Sequence, residues 1–495
     1  MGSAVETPAR AADCWDLLLQ AVDLRPDHRA IVAGERTLAY HDLHRETLAI
    51  VAGLAEAGVT PGDVVLIVLG NVPEFVSTFL AAQFLRAVAA PINPAWTHEE
   101  TAVYAKHVGA THAVIADGEA ARSLESLGIR VTLAQGPEMS LATWRARGEV
   151  DFPRPSECDT DAPALMQPSS GSMGRPKIAV RTGANLVSEA ANLARTAGLD
   201  ADDRFLAIVP LYHCHGLGNC LQASLHVGGT LVLADRFDPH SAVRLIADEG
   251  ITVFPGVPFM FGIMAEGSAT ADLSRMKLCF SAGGPLPEAT YRAFKEKFRV
   301  PVRQLYGCTE AGSVTINTSD DADSSCETVG RAIDGVDLRV VDDSMHELPA
   351  GEVGEVVFAG PALMSGYLDD DSDSPFRDGY FRSGDLGVMD AARMLTIKGR
   401  RKVFIDVGGQ KVDPTEIEEV IRKMPEVADV VVVGAPTRFG DEIVRAVVVA
   451  RTAIEPWQII EHCQSALSSY KCPKAVDFRS AIPRSPLGKV LRGKL

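Results

Sequence analysis

The chain has 495 residues, of which 46% are hydrophobic, and its formal net charge is −17. This composition excludes a disordered chain and leaves room for about three domains. The acidic balance disfavours a broad basic surface for nucleic acid, so an anionic ligand must be held by local positive groups. The nine cysteines form no Cys-X-X-Cys pair, and no segment is apolar and long enough for a signal core or a membrane span. We therefore expect reduced thiols, no zinc site and a cytoplasmic protein.

From about residue 60, short apolar runs alternate with amphipathic segments, a pattern that predicts parallel strands covered by helices. Near residue 335 two apolar runs flank Pro349-Ala350-Gly351 and predict a small antiparallel unit. The predicted strands are 30–33, 64–69, 88–92, 112–116, 205–209, 230–234, 251–254, 278–280, 302–305, 336–341, 353–358, 429–433 and 443–449. The predicted helices are 14–22, 41–57, 73–85, 414–423 and 456–467.

These elements predict an α/β protein with two domains. Residues 1–401 would form a large N-terminal domain of mixed, largely parallel sheets covered by helices, with the antiparallel unit as a small barrel-like part. A basic break at 398–402 precedes a different alternation of helix and strand patterns. Residues 402–495 would therefore form a separate small α+β C-terminal domain.

A loop rich in serine and glycine runs from Ser169 to Lys177, after an apolar strand end at 164–166. Glycines let backbone N–H groups turn toward an anion, serine hydroxyls add donors, and lysine supplies a charge for phosphate. The spacing is not that of the common P-loop, in which Lys and Ser or Thr directly follow the second glycine. The loop therefore predicts nucleotide binding of another kind, with a plain turn as the alternative. The candidate ligands are Ser169, Ser170, Gly171, Ser172, Gly174 and Lys177.

Three further segments follow or interrupt apolar runs in the same way. Tyr306 to Glu310 follows the strand 302–305 and ends in a carboxylate that suits a magnesium ion bridging phosphates, with Tyr306 as a candidate for stacking on a base. Asp385 follows a predicted tight Ser-Gly turn, and its two oxygens suit vicinal ribose hydroxyls. Gly283 and Gly284 follow the strand 278–280 and would let a flat ligand approach the backbone. Each segment alone also fits an ordinary turn.

Three other motifs complete the set. His213-Cys214-His215 ends the strand 205–209, where a pocket wall or a core histidine explains the pair better than zinc, because no third ligand is spaced beside them. The segment 408–418 predicts a loop with the pair Gly408-Gly409, a strand, and a helix that begins near Pro414. Lys489 lies in a flexible loop near the end of the sequence, where a solvated charge is the alternative.

Together and in this order, these motifs resemble the adenylate-forming superfamily, which includes acyl-CoA synthetases, adenylation domains and luciferases. The resemblance covers nearly the whole chain. It implies two half-reactions: a carboxylate attacks the α-phosphate of ATP to give acyl-AMP and pyrophosphate, and a thiol then takes the acyl group and releases AMP. The implied cofactors are ATP, Mg²⁺ and coenzyme A.

The resemblance also implies roles for the candidate residues. Ser169 to Lys177 would hold the β- and γ-phosphates, Thr309 the α-phosphate, Glu310 the Mg²⁺ ion, and Asp385 with Arg400 the ribose. Gly283 and Gly284 would border the adenine and the acyl group, and His213 would lie at the acyl pocket. Lys489 would neutralise charge during adenylation, and rotation about Lys402 would replace it by Gly408 and Gly409 at the thiol tunnel.

One position departs from the family pattern, because Met173 stands where a hydroxyl residue is usual, which removes one donor from the phosphate loop. The expected function is that of an acid–CoA ligase. A stand-alone ligase that loads an acyl carrier protein is the alternative, and a non-catalytic nucleotide-binding regulator is a third. The Gly-Gly-Gln-Lys segment at 408–411 favours the first. We expect a carboxylic acid as the substrate, no nucleic-acid partner and no membrane span.

Overall fold

The computed structural model describes residues 11–134, 140–145, 151–155, 159, 161–169, 177–369, 374–400 and 404–483, with Ser325 and Arg400 described by their backbone. The strands are β1 (Arg29–Ala33), β2 (Arg36–Ala39), β3 (Val64–Val68), β4 (Val88–Pro91), β5 (Ala110–Ile115), β6 (Arg130–Leu133), β7 (Pro163–Ser169), β8 (Lys177–Thr182), β9 (Arg204–Ala207), β10 (Thr230–Leu233), β11 (Val253–Gly256), β12 (Leu278–Ser281), β13 (Arg303–Cys308), β14 (Gly312–Ile316), β15 (Arg331–Ala332), β16 (Asp337–Val341), β17 (Val353–Ala359), β18 (Gly366–Tyr367), β19 (Phe376–Arg377), β20 (Tyr380–Met389), β21 (Leu395–Arg400), β22 (Ile405–Val407), β23 (Gln410–Val412), β24 (Val427–Pro436), β25 (Glu442–Ala450) and β26 (Ala475–Phe478).

The helices lie mostly between the strands, as the alternating pattern predicts. They are α1 (Cys14–Leu24), α2 (Tyr40–Glu56), α3 (Pro73–Phe84), α4 (His98–His107), α5 (Gly118–Ser126), α6 (Leu141–Arg145), α7 (Gly183–Ala197), α8 (Cys214–Gly216), α9 (Ala223–Val227), α10 (Pro239–Asp248), α11 (Pro258–Glu266), α12 (Glu288–Phe298), α13 (Pro414–Arg422) and α14 (Pro456–Gln464), with a π-helical turn at Leu217–Gln222 and a 3₁₀ turn at Ala322–Cys326. Within the described ranges, none of these helices is long and apolar enough to cross a membrane.

Two large sheets form most of the fold. One has nine strands in the order β15-β14-β13-β12-β11-β9-β10-β1-β2, and the other has seven in the order β18-β8-β7-β4-β3-β5-β6. Their central strands run parallel, and antiparallel strands lie toward their ends. Strand β3 is buried on both faces: Val65 and Ile67 join the core around α1–α3, whereas Val64, Leu66 and Val68 join the core with α4 and α5. The predicted α/β class with mixed, largely parallel sheets is confirmed.

A third, antiparallel sheet of β16, β17, β20, β19 and β21 has its own core around Leu338, Val356 and Phe358. The last part of the described chain contains the hairpin β22–β23 and the sheet β24-β25-β26, which packs with α13 and α14 around Ile417, Val430 and Ile459. Helix α13 begins where the sequence predicts, because Asp413 caps it and Pro414 occupies its first turn. The antiparallel unit and the α+β C-terminal part agree with the predicted fold class.

Two local predictions are wrong. Strand β13 does not end at residue 305 but continues through Tyr306, Gly307 and Cys308, because these residues pair with the antiparallel strand β14. Ser383, Gly384 and Asp385 do not form a turn but lie inside the ten-residue strand β20, between β17 and β21. Backbone pairing with neighbouring strands, rather than the preference of each short segment alone, therefore decides both places.

Candidate active site

The ends of the serine- and glycine-rich loop are fixed by the sheet. Ser169 is the last residue of β7 and pairs in register with Lys177, the first residue of β8. The loop therefore begins and ends at neighbouring positions on one sheet. The described residues do not include the range 170–176, which contains Ser170, Gly171, Ser172, Met173 and Gly174.

Tyr367 connects the ends of this loop with Glu310. Its hydroxyl donates to Glu310 Oε1 at 2.7 Å, and the Ser169 side chain also hydrogen-bonds this hydroxyl. The Lys177 ammonium lies 4.8 Å from the centroid of the Tyr367 ring, a cation–π contact. Burial and the Glu310 carboxylate raise the pKa of Tyr367, so the hydroxyl remains a donor at neutral pH. Both ends of the predicted phosphate-binding loop, Ser169 and Lys177, and the predicted metal-binding carboxylate therefore contact Tyr367.

Glu310 lies in the turn between β13 and β14, and its side chain is buried. The backbone N–H of Met364 donates to the Glu310 carbonyl at 2.7 Å, which joins this turn to the segment before Tyr367. Thr309 precedes it, and its hydroxyl contacts the Cys214 sulfur at 3.7 Å. The turn thus lies beside the segment that contains His213.

Asp385 is buried in β20 and accepts a hydrogen bond of 2.7 Å from the Tyr306 hydroxyl. Burial and this carboxylate hold the pKa of Tyr306 well above its usual range. Asp385 also pairs in register with Arg400 of β21, so both predicted ribose ligands lie at neighbouring backbone positions.

His213 caps the short helix α8, and its Nδ1 accepts a hydrogen bond of 3.3 Å from the backbone N–H of His215. Desolvation by the atoms packed around its ring lowers the pKa of His213 to about 4, although the residue keeps exposed surface; Lys411 acts in the same direction and Asp406 opposes it. The ring is therefore neutral at pH 7.

His215 belongs to a separate chain of hydrogen bonds. Its Nε2 donates to the Gly256 carbonyl at 3.0 Å, and its Nδ1 accepts from Asn219 at 2.8 Å. The Asn219 oxygen in turn accepts from Ser313 at 2.7 Å. These contacts assign both nitrogens of His215 to protein partners, which leaves this neutral ring with a structural role in the described site.

The hairpin β22–β23 brings the second glycine pair to this region. A side chain at Gly409 would meet Val257 at 3.0 Å, and one at Gly283 would lie 3.9 Å from the Gly409 Cα. A side chain at Gly284 would lie 2.7 Å from a carboxylate oxygen of Asp406. Gly283, Gly408 and Gly409 all have positive φ, which side-chain-bearing residues rarely adopt. The backbone of the hairpin thus packs directly on the backbone beyond β12.

A polar contact holds the C-terminal part against α4, and we refer to Trp96, Glu100, Glu416, Ser468, Tyr470 and Lys471 as the interdomain contact. The buried Lys471 ammonium donates to Glu100 and to Glu416, at 2.9 Å each. The Trp96 indole N–H donates to the Tyr470 hydroxyl at 3.0 Å, and Ser468 donates to Glu100. Buried charges require such compensation, so this contact depends on one orientation of the C-terminal part.

The structure thus brings together Ser169, Lys177, Thr309, Glu310 and His213, and it places Tyr306 with Asp385 and both glycine pairs next to this group. Lys489 and Lys402 lie outside the described residues. Sequence reasoning missed Tyr367, Lys411 and the interdomain contact. Nothing in the local sequence around Ser365-Gly366-Tyr367 indicates a site, because Tyr367 reaches it through pairing of β18 with β8.

Comparisons with known proteins agree with this arrangement. The family model for AMP-binding enzymes matches residues 18–368, and the model for their C-terminal domain matches residues 416–489. The chain is 31% identical to an indoleacetate–CoA ligase of Aromatoleum aromaticum over 94% of each chain, and 30% identical to a feruloyl-CoA synthase of an Amycolatopsis species over 95% of this chain and 96% of that one.

A solved o-succinylbenzoate CoA synthetase from Bacillus subtilis superposes with a TM-score of 0.89 at 24% identity, covering 98% of each chain, and supports the fold. The resemblance predicted from the order of the sequence motifs is confirmed. The chain belongs to the AMP-binding, adenylate-forming enzymes.

Proposed function

We infer that this protein is an AMP-forming acid–CoA ligase. It converts a carboxylic acid and ATP into acyl-AMP and pyrophosphate, and then transfers the acyl group to the thiol of coenzyme A with release of AMP. The observation that carries this conclusion is the series of contacts from Thr309, next to Glu310, through Cys214 to His213, whose ring is within electrostatic range of Lys411 and Asp406 on the glycine hairpin. One site would then serve both half-reactions.

For the first half-reaction, Ser169 and Lys177 would bind the phosphates and Thr309 the α-phosphate. The buried carboxylate of Glu310 is a hard oxygen donor that fits Mg²⁺, and such an ion would neutralise charge on the phosphate oxygens. The described residues contain no group of three His, Cys, Asp or Glu side chains that could hold a metal alone, so nucleotide oxygens would complete its shell. Asp385 and Arg400 would orient the ribose, while Gly283 and Gly284 would border the adenine and the acyl group.

For the second half-reaction, Gly408 and Gly409 would line the path of the thiol. Their missing side chains let the hairpin backbone approach Val257 and Phe259 closely, which would place it at the wall of that path. Neutral His213 would lie at the acyl pocket near the reacting carboxylate, and Lys489 would act in the first half-reaction. Phosphoryl and acyl transfer of this kind depend on positioning and charge neutralisation, which this set of residues supplies.

The test is pyrophosphate release by the purified protein with ATP and Mg²⁺, using a panel of aryl, small dicarboxylic and fatty acids, with and without coenzyme A. Release with one class of acid, accelerated by coenzyme A and accompanied by AMP and an acyl-CoA product, is expected. Release that coenzyme A does not accelerate would point to an acyl carrier protein as the acceptor. ATP binding without release for any acid would contradict the proposed reaction and favour a nucleotide-binding regulator.

A further inference from the structure

Two oppositely charged side chains of the site, Glu310 and Lys177, contact one aromatic residue. Glu310 lies in the turn at the end of the nine-stranded sheet, whereas Lys177 begins β8 of the seven-stranded sheet. Tyr367 contacts both, through its hydroxyl at 2.7 Å and its ring at 4.8 Å. One aromatic side chain therefore links a predicted metal ligand with a predicted phosphate ligand.

Tyr367 gives each charge a neutral partner. The phenol donates to the carboxylate, and the ring face attracts the ammonium, so neither contact neutralises a charge. We propose that Tyr367 is a positioning residue for the adenylation step, which holds Glu310 and Lys177 in place so that one can bind the metal and the other a phosphate. This inference rests on the proposed function.

The backbone around Tyr367 fixes the position of the ring. Tyr367 pairs in register with Ala179 of β8, and the flanking N–H groups of Ser365 and Leu368 donate to Val180 and Ile178 at 3.0 and 2.9 Å. The Met364 N–H holds the Glu310 carbonyl at 2.7 Å. The segment 364–368 therefore joins both large sheets, and Tyr367 is placed by strand pairing that needs no ligand.

Two substitutions separate the two contacts. Tyr367→Phe removes the hydroxyl and keeps the ring, so Glu310 loses the phenol donor, keeping the Cys308 thiol, and Lys177 keeps its contact. Tyr367→Leu removes both. A matched control is Tyr380→Phe, because the Tyr380 hydroxyl also donates to a carboxylate, Asp337, but on the surface of the antiparallel sheet.

The first measurement is ATP binding by calorimetry with and without Mg²⁺, which does not depend on turnover. Tyr367→Phe should leave ATP affinity without metal unchanged and raise the Mg²⁺ concentration needed for tight binding about tenfold, as expected for losing a hydrogen bond to a charged group. Tyr367→Leu should weaken ATP binding in both conditions. Wild-type Mg²⁺ dependence in Tyr367→Phe would overturn the proposal.

The second measurement follows the two half-reactions separately. Pyrophosphate release should show the raised Mg²⁺ requirement, whereas thioester formation from supplied acyl-AMP and coenzyme A should match wild type. Equal losses in both steps would indicate a structural role and contradict the proposal. The effects of Tyr367→Phe and Glu310→Gln on Mg²⁺ dependence should be non-additive, because one residue acts through the other. If the wild-type protein binds MgATP but adenylates no acid, the proposed reaction is refuted. The proposed role of Tyr367 is still tested in that case, because the binding experiment does not require turnover.

Discussion

The two sides of the site are built in different ways. The proposed nucleotide side, which consists of Ser169, Lys177, Glu310 and Tyr367, joins two sheets through strand pairing and one tyrosine. The proposed thiol side, Gly408 and Gly409, lies on a hairpin of the C-terminal part, which packs on α4 through Lys471 and Glu100. The first is assembled when the N-terminal sheets fold, whereas the second also requires docking. Substitutions can therefore damage one side and spare the other.

The largest expected effect concerns the frame of the nucleotide side. Arg181 on β8 and Glu189 on α7 form a fully buried ion pair of 2.7 Å. Glu189 also lies directly under Gly312, which follows the Glu310 turn. Arg181→Met would leave a buried carboxylate without its partner and should cost about 3–5 kcal/mol of stability, visible as a lower thermal midpoint.

The double variant Arg181→Met with Glu189→Met tests the cause of that loss. It removes both charges together, so much of the stability should return. A double variant as unstable as Arg181→Met would mean that packing, and not the unpaired carboxylate, causes the loss.

The next effect separates the half-reactions through Lys489. Lys489→Ala should reduce pyrophosphate release about 100- to 1,000-fold, the size expected for removing a group that stabilises transition-state charge. Thioester formation from supplied acyl-AMP should remain near wild type, because the hairpin that contains Gly408 and Gly409 is unchanged. Equal loss in both steps would contradict two separate sides.

Glu100→Gln should produce the opposite selectivity. It removes the charge that Lys471 contacts across the interdomain contact, while Lys471 keeps Glu416 as a partner. Glutamine also preserves the capping box of α4, in which Glu100 bonds the Thr97 N–H. We expect thioester formation to fall about tenfold with little change in pyrophosphate release, consistent with the loss of a partly buried ion pair.

The neighbouring variant Glu99→Gln is the control, because Glu99 is exposed in the same first turn of α4. It makes the same chemical change without touching Lys471. A similar fall in thioester formation in both variants would show that the charge of α4, and not the interdomain contact, is responsible.

The sequence predicts residues at strand ends better than it predicts the interdomain contact, for a physical reason. Residues such as Thr309 and Glu310 lie at strand ends, where apolar runs and small or acidic residues are adjacent in sequence. The orientation of Lys471 toward Glu100 depends on packing between segments more than 360 residues apart, as does the pairing of Trp96 with Tyr470. No local pattern contains that information.

The positions of Tyr367 and Asp385 are also not predictable from the local sequence. Asp385 was expected in a turn because Ser383 and Gly384 precede it, but pairing with β17 and β21 extends the strand through them. Tyr367 lies in a two-residue strand whose partner, β8, comes more than 180 residues earlier. Long-range backbone pairing sets both side chains, and local propensity does not record it.

The smallest expected effect is a shift in the titration of His213. Its pKa is lowered to about 4 mainly by burial and then by Lys411 from the docked hairpin, against its ordinary value near 6.5. When the hairpin is undocked, the pKa of His213 is closer to 6.5, so the undocked state binds a proton more readily than the docked state. Docking of the hairpin should therefore weaken as the pH falls from 6.5 toward 4. In ¹³C-histidine spectra, assigned with His213→Gln, this ring should not titrate between pH 5.5 and 8 in wild type.

In Glu100→Gln the same ring should titrate at higher pH, because a hairpin that docks less often removes Lys411 and part of the burial. The control Glu99→Gln should keep the wild-type behaviour. Titration of His213 near 6.5 in the wild-type protein would mean that the hairpin is not docked in solution. The thiol side would then form only when ligands are bound, and the selectivity expected for Glu100→Gln would disappear with it.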